Sequence, residues 1–308
     1  MPRFVQSWSL SPFRRHDKHD ILPHDTPALY AIADIHGDYP RALSALQHAK
    51  VVDEAGSWVA GNATLVQTGD IVDRGPDTQL LYRYFRNLTR QASRSGGRVV
   101  KLWGNHEYMN AMYDWRYVDE GDLDSFPAPS TETRERAFSI EGEIGSDWMV
   151  DYAVTYRDAR YRAHFMHAGL SPEHAADETD EIGKSFMRNL LGGARAHSQW
   201  TETQRRFWDG EGPMWYRGYA LLDEAGACRV AGEVMHTLDV DFLVMGHTPN
   251  FDGALTRCGG RVLLIDTGLS GAYGGRPVVL QFSVDEAAQR QVKLWYDDDR
   301  TVETVYPE

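Results

Sequence analysis

The first third of the sequence alternates between short apolar segments and amphipathic segments. The apolar segments at residues 28–34, 63–70 and 98–104 have the length and composition of buried strands. Between them, residues 41–49 and 78–93 have the spacing of amphipathic helices. This βαβαβ order builds a parallel or mixed sheet with helices packed against it, and it therefore predicts an α/β fold.

The rest of the sequence adds further strand and helix candidates. Two apolar segments, YAVTY and YRAHFMHAG, surround the turn RDAR and predict a hairpin. Helical spacing then recurs at about residues 179–191, 200–209 and 226–238. Four strand candidates follow, namely DFLVMGHT, RVLLIDTG, PVVLQFSV and QVKLWYD. With neither a linker nor an internal repeat, we expect residues 28–308 to form a single domain.

Two regions depart from this pattern. Residues 114–150 are strongly acidic, contain FPAPS and have helical spacing around residues 131–145, so we interpret them as an insertion or cap. Residues 1–27 are rich in charge, histidine and proline and lack periodicity. HDKHD at 16–20, together with His24, could bind a metal, but a mobile or loosely docked arm is the favoured interpretation.

The charge balance and hydropathy exclude several classes of partner. Acids outnumber bases 45 to 32, giving a formal charge of −13. Nucleic acids and anionic membrane surfaces require a cationic face, so we expect neither as a partner. We also expect the protein to be a monomer. No segment approaches the roughly 20 apolar residues of a membrane helix, and no signal sequence is evident. The default expectation is a cytoplasmic protein, with an organelle as the alternative.

Cysteine is too scarce for a disulfide-built secreted scaffold. The chain contains only Cys228 and Cys258. We expect both to be free thiols, with a single disulfide closing a long loop as the alternative.

Polar residues of a few types follow five of the apolar segments. They are Asp34 and His36 after the first, Asp70 and Asp73 after the second, Asn105 and His106 after the third, His167 after AHFM, and His247 after DFLVM. Because the carboxyl ends of strands share one edge of an α/β sheet, these side chains can converge. Oxygen and imidazole ligands without thiolate suit Mn, Fe or Zn. Six ligands from this set, two Asp, one Asn and three His, are too many for one catalytic ion that keeps an open position. They suit two ions that share a carboxylate, an arrangement that hydrolyses phosphate esters.

Each of these residues also has an ordinary structural explanation when it is taken alone. Asp34 could cap a helix, Asn105 could belong to a turn, and His167 could be a hydrogen-bonded core histidine. His164, on the same segment as His167, keeps that core interpretation. The five segments in this order make coincidence improbable.

The motifs ADIHG, GDIVDRG, GNHE, HAG and GHT resemble those of calcineurin-like metallophosphoesterases, specifically the phosphoprotein phosphatase family. The resemblance covers roughly residues 28–282 and implies a two-sheet β-sandwich with a βαβαβ core flanked by helices. Further segments, including GPMWYRGY and IDTGLSGAYGG, are similar to the Shewanella-like branch. Ala33 and Ala168 stand where the family usually has glycine.

The resemblance also implies a ligand set for two divalent cations. Asp34 and His36 would bind one ion, Asp70 would bridge both, and Asn105, His167 and His247 would complete the second. The two cations could be Mn, Fe or Zn, and the sequence does not distinguish among these metals.

The resemblance assigns the remaining site residues to catalysis and phosphate binding. His106 would protonate the leaving oxygen, and Asp73 would orient its imidazole. Arg74 and Arg217 would bind the phosphate oxygens. Arg116 is a further substrate-contact candidate, with an exposed salt bridge as the alternative.

The implied activity is hydrolysis of phosphate monoesters by attack of a metal-bound hydroxide. The expected substrate is a phosphorylated protein or peptide, carrying phosphotyrosine or phosphoserine/threonine. Hydrolysis of polyphosphate or a dinucleoside polyphosphate by the same centre is the alternative. A scaffold that has lost catalysis would be expected to lack His106 or several ligands, and all of these residues are present.

Overall fold

The computed structural model describes residues 21–307, in which two β-sheets pack face to face with helices against both outer faces. The strands are β1 (Leu29–Ile32), β2 (Thr64–Gln67), β3 (Arg98–Leu102), β4 (Tyr152–Ala153), β5 (Thr155–Asp158), β6 (Ala163–Met166), β7 (Phe242–Met245), β8 (Leu255–Arg257), β9 (Val262–Leu264), β10 (Val278–Val284), β11 (Arg290–Tyr296) and β12 (Thr301–Tyr306). The helices are α1 (Tyr39–His48), α2 (Thr78–Arg94), α3 (Asn105–Ala111), α4 (Glu120–Asp124), α5 (Ser130–Ala137), α6 (Glu143–Asp151), α7 (Pro172–Ala175), α8 (Thr179–Leu191), α9 (Glu202–Trp208), α10 (Gly218–Leu221) and α11 (Glu224–Leu238), with a short 3₁₀ helix at His197–Gln199.

The strand order places the predicted βαβαβ unit at the centre of the larger sheet. The seven-stranded sheet has the order β12–β11–β10–β1–β2–β3–β4, and the smaller sheet has the order β5–β6–β7–β9–β8. β1, β2 and β3 are parallel to one another, as are β6, β7 and β9. The carboxyl ends of each parallel set therefore meet at one edge of its own sheet.

Side-chain alternation explains why both faces of the central strands are buried. In β1, Leu29 and Ala31 belong to the core between the sheets, whereas Tyr30 and Ile32 pack with the residues of α1 and α2. In the smaller sheet the apolar residues of α11 cover the outer face. This double burial accounts for the continuously apolar strands in the sequence.

Two predicted elements differ from the structure. The segment YAVTY divides between the sheets, because β4 pairs with β3 while β5 forms the predicted hairpin with β6. The Asp180 carboxylate accepts hydrogen bonds from the amides of Val154 and Thr155 at this crossing, at 2.8 and 2.9 Å. The single helical stretch expected around residues 131–145 is two helices, α5 and α6, separated at residues 138–142.

The expectation of free thiols is wrong. Cys228, in α11, and Cys258, after β8, form a disulfide with their Cα atoms 5.4 Å apart. The structure explains the pairing, since α11 packs across β8 and brings together residues 30 positions apart in sequence.

The first described residues dock on the larger sheet. Ile21 forms a bridge with Gln289, and the Leu22 amide donates to the Ala288 carbonyl at 2.9 Å. The HDKHD segment lies outside the described residues. Within residues 21–307, none of the helices combines the length and the apolar character that crossing a membrane requires.

Candidate metal centre

The strand-end residues predicted from the sequence converge around Asp70. The Asp70 Oδ2 atom lies 3.7 Å from His36 Nε2, 3.9 Å from His106 Nε2 and 3.5 Å from His167 Nε2. All four side chains are buried. Asp70 is therefore the carboxylate that the surrounding imidazoles share.

The other predicted ligands complete the cluster on either side. Asp34 Oδ2 lies 3.9 Å from His36 Nε2. Asn105 Oδ1 lies 2.8 Å from His167 Nε2 and 3.0 Å from His247 Nδ1. The His247 amide donates to both Asp34 oxygens, at 3.1 and 3.2 Å, which joins the two sides of the cluster.

Several residues of the site have a backbone conformation that residues other than glycine rarely adopt. Positive φ angles occur at His36 (48°), Asp70 (56°), Asp73 (73°), Arg74 (67°) and His247 (68°). Such residues are each destabilising by about 1–3 kcal/mol and persist where the surrounding structure enforces them. The loops after β1, β2 and β7 thus orient these side chains before any ligand binds.

Two glycines allow the carboxylates to lie against the neighbouring backbone. A Cβ atom at Gly104 would lie 2.1 Å from Asp70 Oδ1, and one at Gly246 would lie 2.2 Å from Asp34 Oδ1. Any larger residue would push its carboxylate out of place.

The environment of His167 shows that these residues suit a cation. Burial lowers the pKa of His167 to about 3, so the ring is neutral. Its Nδ1 lies 3.0 Å from the Thr68 carbonyl and donates to it, which leaves a lone pair on Nε2. This lone pair faces the Asn105 carbonyl oxygen, another acceptor, and a cation between them would satisfy both.

The electrostatics of the carboxylates agree with this fit. Burial, followed by the charge of Asp266, raises the pKa of Asp34 well above its ordinary value. Burial, followed by the charge of Asp34, does the same for Asp70. Buried carboxylates so close together are stabilised by positive charge, which divalent cations would supply.

Two groups of residues with metal-ligand spacing share Asp70. One consists of His36, Asp70 and His106, and the other of Asp70, His167 and His247. The protein thus contains a His/Asp cluster that can hold divalent metal. His106 belongs to the first group, so the metal content after its substitution distinguishes a metal ligand from the predicted proton donor.

His106 and Asp73 form the pair that the sequence predicted. His106 Nδ1 lies 2.6 Å from Asp73 Oδ2. Asn110, which the sequence analysis missed, donates to Asp73 Oδ1 and to the His106 carbonyl, both at 2.9 Å. Its position four residues after His106 in α3 is a signal that could have identified it.

Glu107 is a second residue that the sequence analysis missed, although it is part of GNHE. Its buried carboxylate accepts hydrogen bonds from the amides of Gly104 (2.7 Å), Asp70 (2.9 Å) and Ile71 (2.9 Å). It therefore fixes the loop after β2 to the start of α3. An acid at the third position of a helix commonly bonds the backbone of that helix's N-cap, which was the available signal.

Replacing Glu107 by alanine is expected to lower the free energy of unfolding by about 3 kcal/mol or more, because three amides lose their buried acceptor. Urea denaturation of the purified variant measures this change. Glu54→Ala removes an exposed glutamate and should be nearly neutral. Equal stability of the Glu107 and Glu54 variants would contradict the structural role.

Arg74 lies between two tyrosines at the edge of the cluster. Its guanidinium carbon is 4.4 Å from the ring centroid of Tyr117 and 4.9 Å from that of Tyr273. The same rings lie 5.2 Å from His106 and 5.4 Å from His36, respectively. Neither tyrosine was predicted from the sequence, because their loops carry no pattern that distinguishes them.

The other predicted arginines differ in their placement. Arg217 Nη1 donates to the His247 carbonyl at 3.1 Å and to Thr248 Oγ1 at 2.9 Å, so it borders the cluster. Arg116 instead pairs with Asp114 at 2.8 Å, and its side chain is 65% exposed. For Arg116, the alternative of an exposed salt bridge is the one observed.

Asp266 is a further buried acid of the site and follows β9. Burial raises its pKa to about 6, and its Oδ1 accepts from the Gly268 amide at 2.9 Å. The rule that flagged the other strand ends applies equally to its segment, IDTG.

Comparisons with known proteins agree with this architecture. The chain is 51% identical over 282 residues to an uncharacterized protein of Schizosaccharomyces pombe, covering 90% of this chain and 80% of that protein. It is 26% identical over 305 residues to Shewanella-like protein phosphatase 2 of Arabidopsis thaliana, covering 85% of this chain and 76% of that protein. A crystal structure of a cold-active protein-tyrosine phosphatase from a psychrophilic Shewanella species matches with a TM-score of 0.73 at 25% identity, covering 93% of this chain and 83% of that one.

These matches confirm the predicted fold and the resemblance to Shewanella-like phosphatases. A family model described as calcineurin-like phosphoesterase matches residues 28–251, which include every residue predicted for the site. The chain belongs to the calcineurin-like phosphoesterase family and is a metal-dependent phosphoesterase.

Proposed function

We propose that this protein hydrolyses phosphate monoesters on phosphorylated proteins or peptides. The observation that carries the proposal is the position of the buried His106–Asp73 pair beside the carboxylate that three imidazoles share. A proton donor at that point suits a reaction in which an alcohol or phenol leaves from phosphorus.

Each residue predicted for the site has a proposed role in this reaction. When bound, two divalent cations would lower the pKa of a water molecule and neutralise charge on the phosphate. Asp34, His36, Asp70, Asn105, His167 and His247 are the residues that would hold them. Arg74 and Arg217 bind the phosphate oxygens and orient the ester. His106 delivers a proton to the leaving oxygen, and Asp73 holds the His106 ring in position.

The aromatic surroundings of Arg74 favour phosphotyrosine as the first substrate to test. Tyr117 and Tyr273 flank the guanidinium that would bind the phosphate. Rings in this position can pack against the phenyl ring of a bound phosphotyrosine. One relative is named a protein phosphatase and one similar structure a protein-tyrosine phosphatase, which supports a phosphoprotein substrate.

A parallel activity screen tests the proposal. Its substrates are a phosphotyrosine peptide, a phosphothreonine peptide, polyphosphate and diadenosine tetraphosphate, each with protein that has been reconstituted separately with Mn, Fe or Zn. We expect the highest kcat/KM on a phosphopeptide. Faster hydrolysis of polyphosphate or of the dinucleotide would replace the proposal with the alternative substrate class.

The first residues of the acidic 114–150 segment contact the site. The Arg74 amide donates to the Tyr117 carbonyl at 2.8 Å. Farther along, the Arg134 side chain is fully buried and donates to Asp122 at 3.1 Å. We infer that the acidic charge of this segment selects against highly anionic substrates. Excising residues 119–130 would remove Asp122 and leave the Arg134 guanidinium without its carboxylate. Neutralising exposed acids is therefore the cleaner test of substrate selection.

A triple variant of the 114–150 segment removes three exposed charges, by the substitutions Glu120→Gln, Asp124→Asn and Glu132→Gln. We expect the efficiency on polyphosphate to rise about threefold or more relative to a phosphopeptide, because repulsion of a highly anionic substrate is reduced. Steady-state kinetics on both substrates, and on a small aryl phosphate that should be unaffected, measure this change.

Glu54→Gln/Glu286→Gln/Glu303→Gln is the matched control, since it removes the same charge from exposed positions elsewhere. Proportional changes on all substrates, or equal behaviour of the two triple variants, would show that the segment does not select substrates.

A further inference from the structure

A cavity separate from the metal centre lies beside β6, between α7 and α8. Its volume is about 390 Å³, and none of the predicted site residues lines it. His164 contributes from β6 and His174 from α7, and four acids contribute from the start of α8 and the residues before it, namely Asp177, Glu178, Asp180 and Glu181. We call this cavity the α7–α8 cleft.

Both histidines of the cleft are buried and have ring nitrogens without a partner. His164 is 6% exposed, and within residues 21–307 neither of its ring nitrogens has a hydrogen-bond partner. His174 is 5% exposed and lacks a partner for Nε2, while its Nδ1 lies 3.0 Å from Ser171 Oγ. A buried polar atom without a partner is destabilising, so these nitrogens favour a molecule in the cavity that forms hydrogen bonds with them.

Burial lowers the pKa of His164 to about 4, so its imidazole is neutral near pH 7. A neutral imidazole always presents one lone pair as an acceptor. The cleft therefore offers hydrogen-bond acceptors in its wall.

The acids at the mouth of the cleft add negative charge to these acceptors. Asp180 is occupied by the amides of Val154 and Thr155. Asp177 pairs with Arg206 at 3.8 Å. Glu178 and Glu181 are exposed, and neither forms an ion pair with any other described residue. Acids in the first turn of a helix also favour its dipole, but that role does not explain two unpartnered imidazoles facing the same cavity.

These acceptors and charges select an organic cation rather than a bare metal ion. A metal needs several donor atoms about 2.0–2.3 Å from one point. In the described part of the chain, no three donor atoms of the α7–α8 cleft lie within 4.8 Å of one another. A cavity of about 390 Å³ instead accommodates an ammonium or guanidinium group together with its alkyl chain.

We propose that the α7–α8 cleft binds an alkylammonium or guanidinium cation. The cation donates to the unpartnered imidazole nitrogen of His164, and Glu178 and Glu181 balance its charge. The same chemistry is presented by a basic side chain of a peptide and by a free polyamine. This site is independent of the proposed phosphatase reaction.

Calorimetric titration of the full-length protein tests the proposal at pH 7 and low salt. The probes are N-acetyl-arginine amide, spermidine, the neutral analogue N-acetyl-citrulline amide, and zinc chloride alone. We expect saturable binding of at least one of the two organic cations and none of the citrulline analogue. Tighter binding of the arginine amide identifies a peptide side chain as the source, and tighter binding of spermidine identifies a polyamine.

Two variants locate the binding in the cleft. Glu178→Gln/Glu181→Gln should weaken it at least about fivefold, whereas Glu54→Gln/Glu286→Gln, with the same charge change at exposed positions elsewhere, should leave it unchanged. His164→Phe keeps a ring but removes both nitrogens, and it should also weaken binding while hydrolysis of a small aryl phosphate continues. The exposed glutamates provide a test even if the His164 variant does not fold.

Three results would overturn the proposal. They are the absence of saturable cation binding up to about 10 mM, equal binding of the citrulline analogue, and binding that the Glu178/Glu181 double variant does not change. Binding of zinc but of neither organic cation, lost in the double variant, would replace it with a metal site.

Discussion

Replacing Asp70 by asparagine is expected to reduce kcat/KM by more than about 10³-fold and to lower the content of bound divalent metal. The Asp70 Oδ2 atom lies within 3.9 Å of three imidazoles, and Oδ1 accepts the His106 amide at 2.9 Å. An asparagine of the same size removes the negative charge and turns an amide group toward the imidazole nitrogens. Both proposed cations would lose a ligand together.

Metal analysis and steady-state kinetics on a phosphopeptide measure the effect of the Asp70 substitution. Asp158→Asn is a matched control, since it removes another buried carboxylate, one that pairs with Arg160 rather than with the cluster. An Asp70→Asn protein with two bound metals and near wild-type turnover would exclude a bridging role for Asp70.

Replacing His106 by asparagine is expected to reduce turnover by about 10²–10⁴-fold, the usual contribution of a general acid. The metals should remain, because Asp34, His36 and Asp70 do not depend on the His106 ring. Kinetics and metal content of the same preparation separate the two effects. If the metals are lost, His106 is a ligand, as its distance of 3.9 Å from Asp70 would allow.

The leaving group provides an internal control for the His106 prediction. Aryl phosphates with acidic phenols need little protonation as the bond breaks, so the His106 variant should lose less activity on them than on alkyl phosphates. A loss that is the same across a series of phenols of different acidity would contradict proton donation. Asp73→Asn should show the same dependence with a smaller loss, since Asp73 acts through the His106 ring.

The fold and the convergence of the site were predictable because they follow from local patterns. Buried parallel strands are visible as apolar runs, and their carboxyl ends meet at one edge of the sheet. That rule accounts for Asp34, Asp70 and Asn105, which follow strands of the larger sheet. His167 and His247 follow β6 and β7 of the smaller sheet, and they join the cluster because the two sheets pack face to face. Their roles as ligands remain predictions until the variants are measured.

Other features depend on contacts that no local pattern encodes. The pairing of Cys228 with Cys258 requires knowing that α11 crosses β8. Tyr117 and Tyr273 meet on Arg74 from loops that follow different strands. Where YAVTY divides between the sheets, the Asp180 carboxylate accepts hydrogen bonds from the amides of Val154 and Thr155, a contact that apolar periodicity does not reveal.

The hydrogen bonds from the His247 amide to Asp34 join residues 213 positions apart, and this separation has a consequence for biosynthesis. During translation the first strand, with Asp34 at its end, leaves the ribosome long before β7 has been made. A nascent chain therefore holds an incomplete set of the proposed ligands, and the proposed cations could be bound in full only after β7 has joined the smaller sheet. Contacts between such distant residues are also slow to form, because a long loop must close before they are made. Metal supply at the end of synthesis, rather than during it, would then determine how much of the protein becomes active.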